Sequence, residues 1–302
     1  MLVTVGVLIL LFVAYQLWGT GWFTTRAQHD LVQSFERRLA AESTTTTTRP
    51  PTPTGQRPPP TTASSPVVDH SKIPAIHEGD AIGIIHMPWA SYAVIEGTSR
   101  NDLKKGPGHY PATVFPGELG NAAIAGHRTT YLAPFGNLDT LHVGSTFRID
   151  TLWGKYTYRV TREPYAVAPS DIGVVATLDP TKATITLTAC HPKYSARQRL
   201  VVQAALVVAR SDPPRSPPPT TVPTSNSEQH ASASLSAGLS GDRASRGPAL
   251  AWGFATALVG ALWWLLYRRW RHPITWVAGL LPFLPVLLAW YVYLERALPA
   301  GY

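Results

Sequence analysis

The chain has 302 residues, of which 45% are hydrophobic and 15% charged, with a net charge of +8, 28 prolines and one cysteine. A single cysteine excludes an intramolecular disulfide framework and a multi-cysteine metal cluster, so the thiol is either an inert buried group or a reactive one. The positive charge does not indicate a nucleic-acid partner, because several arginines flank apolar segments and the others are dispersed along the chain.

The first predicted element is an uncharged apolar run, "LVTVGVLILLFVAYQLW", about long enough to cross a bilayer as a helix. We expect residues 1–20 to be a membrane anchor rather than a cleaved signal peptide, because the run lacks a clear small-residue cleavage site and a polar leading region. Leu31, Phe35 and Leu39 then recur every fourth position. This spacing predicts an amphipathic juxtamembrane helix within residues 21–42.

Two low-complexity segments isolate the middle of the chain. Residues 43–66 and 211–248 are rich in Pro, Ser and Thr, a composition that cannot bury a core and that favours extended, solvated chain. The folded domain is therefore expected over residues 67–210, which is long enough for one hydrophobic core.

Short runs rich in β-branched and aromatic residues recur through this domain between turn signals, whereas helical signals are weak and short. The predicted strands begin at Ala81, Tyr92, Asn121, Ser145, Lys155, Ala183 and Arg199. We therefore predict an all-β domain, and seven or eight strands of this length fit either a closed barrel or a sandwich.

Two further apolar runs, residues 249–267 and 274–294, follow the second linker. Their lengths and flanking aromatic residues favour transmembrane helices over a buried helical hairpin of a soluble domain. The basic loop 268–273 between them is expected in the cytoplasm by the positive-inside rule. The predicted protein therefore crosses the membrane about three times, with its folded domain outside the cytoplasm.

The cysteine lies at the end of a predicted strand in "ATITLTACHPKYSARQRLVV", where Cys190 precedes His191-Pro192. A nucleophilic thiol needs a group that handles a proton and a positive environment that stabilises an oxyanion. His127 ends its own strand in "NAAIAGHRTT" after a glycine that permits close approach, and Arg197 and Arg199 precede the next strand. These residues are the candidates for an active site.

Other sites are less favoured by the sequence. His191 adjoins Cys190 but would point to the opposite face of an extended chain. The remaining histidines that we considered lack a comparable strand-end setting: His77, His86, His109 and His142. No tight His/Asp/Glu spacing accompanies the cysteine, so no metal site is predicted. A papain-like "CGSCW" context is also absent.

The segments "TLTAC", "HPKYSARQRLVV", "GNAAIAGHRTTYLAPFGNLD" and "VIEGTSRNDLKKGPGHYP" resemble the sortases, in particular the actinobacterial class E group. The resemblance implies an eight-stranded closed β-barrel that acts as a cysteine transpeptidase without a cofactor. It also implies His127, Cys190 and Arg199 as the catalytic set. Arg199 is preferred to Arg197 because the family's arginine directly opens its strand, as in "RLVV" here.

The sequence departs from the family pattern Thr-Leu-X-Thr-Cys at Ala189, where a second threonine is usual. A hydroxyl beside the nucleophile could bind substrate, so Thr188 and Ala189 are interpreted as substrate-binding positions. The loss of this hydroxyl is expected to alter rate or signal preference. The pair of C-terminal spans is a second departure from a layout with a single anchor.

The resemblance predicts an enzyme at the membrane of a Gram-positive, actinobacterial cell. It would cleave a Leu-Pro-X-Thr-Gly or Leu-Ala-X-Thr-Gly signal between Thr and Gly through a Cys190 thioester. Its partners would be secreted proteins bearing that C-terminal signal, an amine of a peptidoglycan precursor or pilin, and the lipid membrane. A non-catalytic β-domain that binds wall proteins, or a structural stalk through the wall, are the alternatives.

Overall fold

A computed structural model describes residues 8, 10–13, 15, 20–45, 76–217, 243–269 and 273–297. The predicted first span lies largely outside the described residues. So do most of the two predicted linkers and the centre of the predicted basic loop.

Nine strands form the central domain and follow one another along the chain. They are β1 (Ala81–His86), β2 (Ser91–Glu96), β3 (Gly108–His109), β4 (Gly120–Ala125), β5 (Thr146–Thr151), β6 (Gly154–Val160), β7 (Tyr165–Val167), β8 (Ala183–His191) and β9 (Gln198–Leu206). They form one sheet in the order β6-β5-β1-β2-β3-β4-β8-β9-β7, and β6 also pairs with β9. This additional pairing closes eight strands into a barrel and leaves β7 outside it. The predicted all-β, eight-stranded closed barrel is confirmed.

Most neighbouring strands are antiparallel, but the short pair β2 and β3 is parallel. Strands β4 and β8 also run parallel and in register, from Gly120↔Ala183 to Ala125↔Thr188. The next pair, β8 and β9, is an antiparallel hairpin that aligns Cys190 with Arg199. Because parallel strands end at the same edge of a sheet, the residues that follow β4 and those that end β8 lie side by side.

The barrel interior is filled by side chains that alternate along the strands with outward-facing ones. The largest of its fully buried members are Tyr156, Tyr158, Phe35, Phe135, Ile82, Ile85, Ile124, Leu138 and Ile149. Phe35 belongs to the helix that precedes the barrel, so this helix packs into the same core. Its neighbours Leu31 and Leu39 pack against the same cluster, as the four-residue spacing predicts.

Within the described residues, four bounded α-helices accompany the strands: α1 (Thr20–Thr45), α2 (Arg100–Leu103), α3 (Arg246–Arg269) and α4 (Pro273–Ala297). Helix α1 covers the predicted juxtamembrane helix and extends three residues into the predicted linker. Helices α3 and α4 extend the predicted C-terminal segments at both ends. By length and composition, Arg246–Arg269 and Val277–Ala297 are candidate membrane spans.

The barrel domain continues beyond its expected last residue, Arg210. The Asp212 carboxylate accepts a hydrogen bond from the Lys155 amide at 2.7 Å, and the Arg215 backbone exchanges hydrogen bonds with Gly117 and Leu119. The first residues of the predicted second linker are therefore part of the folded domain.

Candidate active site

Strand β8 presents two different faces. Ile185, Leu187 and Ala189 belong to the barrel core, whereas Cys190 packs in a second cluster on the outer face. Thr188 shares the outer face and lies 3.0 Å from the phenolic oxygen of Tyr110. The Ala189 methyl thus points away from Cys190 and Thr188. Its placement does not support the interpretation of Ala189 as a substrate-binding position.

His127 follows β4 by two residues, as Cys190 follows Thr188 on the paired strand β8. The Gly126 amide donates to the Thr188 carbonyl at 3.0 Å, so the parallel ladder continues to the position before the histidine. Ala123 and Ala125, which share the parity of His127, pack in the same outer cluster as Cys190. Because β4 and β8 pair in this way, His127 and Cys190 lie at the same edge and on the same face of the sheet.

Gly126 is required by the packing beneath this strand end. A Cβ atom at this position would lie 2.6 Å from Cδ2 of Phe135, a fully buried core residue. Only glycine allows β4 to approach the ring this closely, as the sequence around His127 predicts.

Arg199 lies opposite Cys190 in the β8–β9 ladder and is 5% exposed, whereas Arg197 is exposed in the preceding loop. The Arg199 Nη1 donates to the carbonyls of Ala196 and Gln198, each at 3.0 Å, which holds the guanidinium against the loop. Its buried Nε makes no hydrogen bond to any described part of the chain. The geometry favours Arg199 over Arg197 as the cation beside the thiol.

A second buried guanidinium, that of Arg128, was missed by the sequence analysis. Its Nη1 lies 2.7 Å from Nδ1 of His191 and 3.4 Å from the carbonyl oxygen of Cys190, and its Nη2 lies 3.1 Å from Oδ2 of Asp139. Because the arginine is the donor, Nδ1 of His191 is the acceptor. The signal in the sequence was its position directly after His127.

The two arginines and the burial of the thiol have opposite electrostatic effects. Burial raises the pKa of Cys190 above its ordinary value of 9.0, and the positive charges of Arg199 and Arg128 partly oppose this increase. Burial and the Arg128 charge both lower the pKa of His191, which stays neutral near pH 7. Burial also raises the pKa of Tyr110 to about 12, so its hydroxyl keeps its proton beside Thr188.

The loop after His127 is packed onto the imidazole. The ring of Tyr131 lies 4.8 Å from that of His127 between centroids, and the Thr130 hydroxyl lies 3.5 Å from Nδ1. Tyr131, Leu132 and Ala133 have successive φ values of 53°, 64° and 44°. Non-glycine residues adopt this left-handed conformation only where surrounding contacts hold them in it.

The four histidines that the sequence disfavoured as partners of Cys190 have other partners in the structure. His77, His86 and His142 pair with acidic side chains near the surface: Asp80, Asp150 and Glu163 respectively. His109 is fully buried with its Nδ1 2.7 Å from Oε2 of Glu96. Among the described residues, no three His, Cys, Asp or Glu side chains converge as a possible metal site.

A family model described as the sortase domain matches residues 82–207, a range that holds most of the barrel together with His127, Cys190 and Arg199. Residues 82–207 therefore form a sortase domain. Sortase D of Bacillus subtilis is 33% identical over 116 residues, covering 38% of this chain and 56% of that protein.

The resemblance to class E sortases is confirmed by a second relative. Sortase SrtE1 of Streptomyces coelicolor is 28% identical over 227 residues, covering 69% of this chain and 56% of that protein. The matches thus span little more than half the length of these two curated relatives. The structure of sortase E from Streptomyces avermitilis is 31% identical, with a TM-score of 0.40 over 45% of this chain and 93% of that chain.

Proposed function

We propose that the sortase domain is a cysteine transpeptidase that cleaves a Leu-Pro-X-Thr-Gly or Leu-Ala-X-Thr-Gly signal between Thr and Gly. Cys190 is the nucleophile, His127 the general acid and base, and Arg199 the group that stabilises the oxyanion. The substrates are secreted proteins bearing the signal. The acceptor is an amine of a peptidoglycan precursor or of a pilin.

The reaction has two balanced halves. The Cys190 thiol passes its proton to His127 as its sulfur attacks the threonyl carbonyl, and the C–N bond to glycine breaks as His127 gives that proton to the departing amine. The resulting thioester holds the N-terminal product. An incoming amine then loses a proton to His127 and attacks the thioester, so that a new amide forms, the C–S bond breaks and His127 returns the proton to the Cys190 sulfur. Negative charge on the carbonyl oxygen in both halves is stabilised by Arg199.

One observation supports the proposal: the ends of β4 and β8 and the beginning of β9 lie together on one face of the sheet. The in-register pairing of β4 with β8 orders His127 next to Cys190, and the β8–β9 ladder sets Arg199 opposite the thiol. The buried Nε of Arg199 supports an oxyanion role, since it has a proton to donate and no acceptor within the described residues.

The domain is proposed to act on the outer face of the membrane. The candidate spans in α3 and α4 and the predicted N-terminal anchor support a protein that crosses the bilayer three times, with Arg268, Arg269 and Arg271 in the cytoplasm. This location gives the domain access to secreted proteins and to lipid-linked amine acceptors.

The decisive experiment uses the purified full chain with a quenched peptide carrying Leu-Ala-X-Thr-Gly or Leu-Pro-X-Thr-Gly. We expect cleavage between Thr and Gly, and a mass increase on Cys190 that corresponds to the acylated peptide. The Cys190→Ala variant should fold as the wild type does and show neither signal. Cleavage by the folded alanine variant would remove Cys190 from the mechanism, and binding without cleavage by the wild type would favour the wall-protein-binding alternative.

A matched pair of arginine variants tests the oxyanion assignment. Arg199→Ala should lower kcat by about a hundredfold or more, because a buried donor to a developing oxyanion is lost. Arg197→Ala should have little effect, since that side chain is exposed. Equal losses in the two variants would contradict the choice of Arg199.

A further inference from the structure

The C-terminal end of α4 contacts the barrel through a buried carboxylate. Glu295 forms an ion pair with Lys104, with Nζ and Oε1 separated by 2.8 Å, and it accepts a hydrogen bond from the hydroxyl of Tyr131. The Lys104 ammonium also lies 5.5 Å from the centroid of the Tyr131 ring. Glu295, Lys104 and Tyr131 therefore form one cluster, called here the junction. Within it, the charges of Glu295 and Lys104 are paired.

Helix α2 strengthens this contact at the same helix end. The Arg100 guanidinium donates to the carbonyl of Glu295 at 2.9 Å and to the carbonyl of Arg296. The last carbonyls of an α-helix lack intrahelical partners and carry partial negative charge, so a guanidinium at this position is favourable. The end of α4 is thus held to the barrel domain through both its last backbone carbonyls and the Glu295 side chain.

The N-terminal part of the chain meets the junction from another side. The Tyr15 hydroxyl donates to Oε2 of Glu295 at 3.2 Å. In α1, the Thr24 hydroxyl donates to the Lys104 carbonyl at 2.8 Å, and Gln28 hydrogen-bonds both the Lys105 carbonyl and the Ala93 amide. The segment that carries Lys104 is therefore fixed by α1 as well as by α4.

The junction reaches the candidate active site through one side chain. Tyr131 donates its hydroxyl to Glu295 while its ring packs against the imidazole of His127. Burial and the Glu295 carboxylate raise the pKa of Tyr131, so the hydroxyl remains a donor across the working range of pH. Because Tyr131 begins the left-handed run of the His127 loop, a contact that holds its ring also holds a conformation that the loop alone does not favour.

We propose that Glu295 is a positioning residue for His127: the end of α4 anchors Tyr131, and the Tyr131 ring orients the imidazole toward Cys190. The C-terminal helical hairpin is then part of the catalytic architecture as well as a membrane attachment. This inference rests on the proposed function for its kinetic consequences. Its structural part, that the orientation of His127 depends on Glu295, can be tested without any activity.

The test uses the full chain in phosphatidylglycerol-containing nanodiscs, with Glu295→Ala, Tyr131→Phe and the double variant. Tyr131→Phe keeps the ring but removes the hydroxyl that Glu295 binds. Glu163→Gln, at an exposed carboxylate that pairs with His142, is the control. Two readouts are measured: the His127 ring resonances in histidine-labelled protein, assigned with His127→Gln, and kcat and KM for peptide cleavage.

We expect each single variant to move the His127 ring resonance and its titration midpoint, because the Tyr131 ring is no longer fixed over the imidazole. In both variants kcat should fall by about tenfold or more while KM stays within about twofold, since a misplaced catalytic group affects the chemical step. The double variant should be no worse than either single variant, because both remove the same link. Glu295→Gln, which can still accept a hydrogen bond, should recover part of the loss.

An unchanged His127 resonance in folded Glu295→Ala would overturn the proposal. Independent, multiplying losses of kcat in the double variant would also do so, as would a loss that follows the melting temperature alone. If the wild type cleaves no peptide, the proposed function fails, and the resonance still decides whether Glu295 orients His127.

Discussion

At the scale of single residues, the environment of Cys190 combines burial with two cations. Arg199 faces the thiol across the β8–β9 ladder, and Arg128 approaches the Cys190 carbonyl from the His127 side. Burial prevails, so the pKa of the thiol lies above 9.0 and the proton is retained at pH 7. The thiolate is then formed only as pH rises through this elevated pKa.

The direction of the shift in the Cys190 pKa can be tested by alkylation, because the chain has one thiol. The rate of reaction of Cys190 with iodoacetamide should increase with pH and reach no plateau below pH 9. Arg128→Gln should move the midpoint to higher pH, since a nearby positive charge that favours the thiolate is lost. Arg128→Lys should restore most of the difference, and Arg197→Gln should leave the midpoint unchanged. A downward shift in Arg128→Gln would refute the electrostatic role.

Ala189 provides a second prediction at this scale, because its methyl lies in the barrel core. Ala189→Thr and Ala189→Val add similar volume, and each should lower the free energy of unfolding by about 1–3 kcal/mol. Thr should be the worse of the two, since its hydroxyl is also desolvated. Urea denaturation gives the stabilities, and kcat/KM should stay within about twofold for both. A changed signal preference in Ala189→Thr at unaltered stability would show that this position contacts substrate.

At the scale of elements, the site depends on how the end of β4 is supported. Gly126 separates the last residue of the strand from His127 and lies against the Phe135 ring, so the histidine cannot shift without moving the core. The pairing of Gly126 with Thr188 links this strand end to β8. The position of the proposed general acid is thereby set by the barrel as well as by its own loop.

Gly126→Ala should therefore damage both stability and turnover. The new Cβ would meet the Phe135 ring at 2.6 Å, and overpacking of this kind costs about 1–3 kcal/mol and displaces the backbone. Thermal denaturation should show the loss of stability, and kcat should fall in protein that is still folded at the assay temperature. Gly173→Ala is the control for stability, because its Cβ would make an ordinary contact at 3.6 Å. Full activity in Gly126→Ala would mean that the β4 end tolerates displacement.

The sequence was most informative where an element is long enough to show a pattern. Seven strands were visible, but β3 and β7 have two and three residues and show no periodicity. The strand-end positions of His127, Cys190 and Arg199 could be identified because each borders an apolar run. Arg128 follows His127 directly, but its burial could not be predicted, since it depends on contacts with His191 and Asp139 that local sequence does not reveal.

At the scale of the whole molecule, the apolar segments pack with a consistent direction. Leu8 contacts Tyr291 and Tyr15 contacts Glu295, so the described residues of the first segment run parallel to α4. The Trp252–Tyr293 and Trp263–Phe283 ring contacts show that α3 and α4 are antiparallel. The beginning of α3 and the end of α4 therefore lie on one side, together with the barrel.

This arrangement predicts the labelling pattern of intact cells. Single cysteines at Ser225 and His272, in a Cys190→Ala background, mark the second linker and the basic loop, both outside the described residues. An impermeant maleimide should label position 225 and not position 272, because the loop is expected in the cytoplasm. Permeabilised cells provide the control, in which both positions should react. Labelling of 272 alone in intact cells would place the barrel in the cytoplasm and exclude the sorting function.

The parallel pairing of β4 with β8 also determines the order in which the site can assemble during folding. Cys190 and Arg199 belong to a local hairpin, whereas the loop after β4 and Cys190 are separated by more than 60 residues of chain. Closing a long loop costs more entropy than forming a hairpin and delays the contacts that depend on it. We therefore expect the pairing of Cys190 with Arg199 to form first, and the contact between this hairpin and the strand end that carries His127 to form last. Transpeptidation is therefore expected only once the barrel has closed.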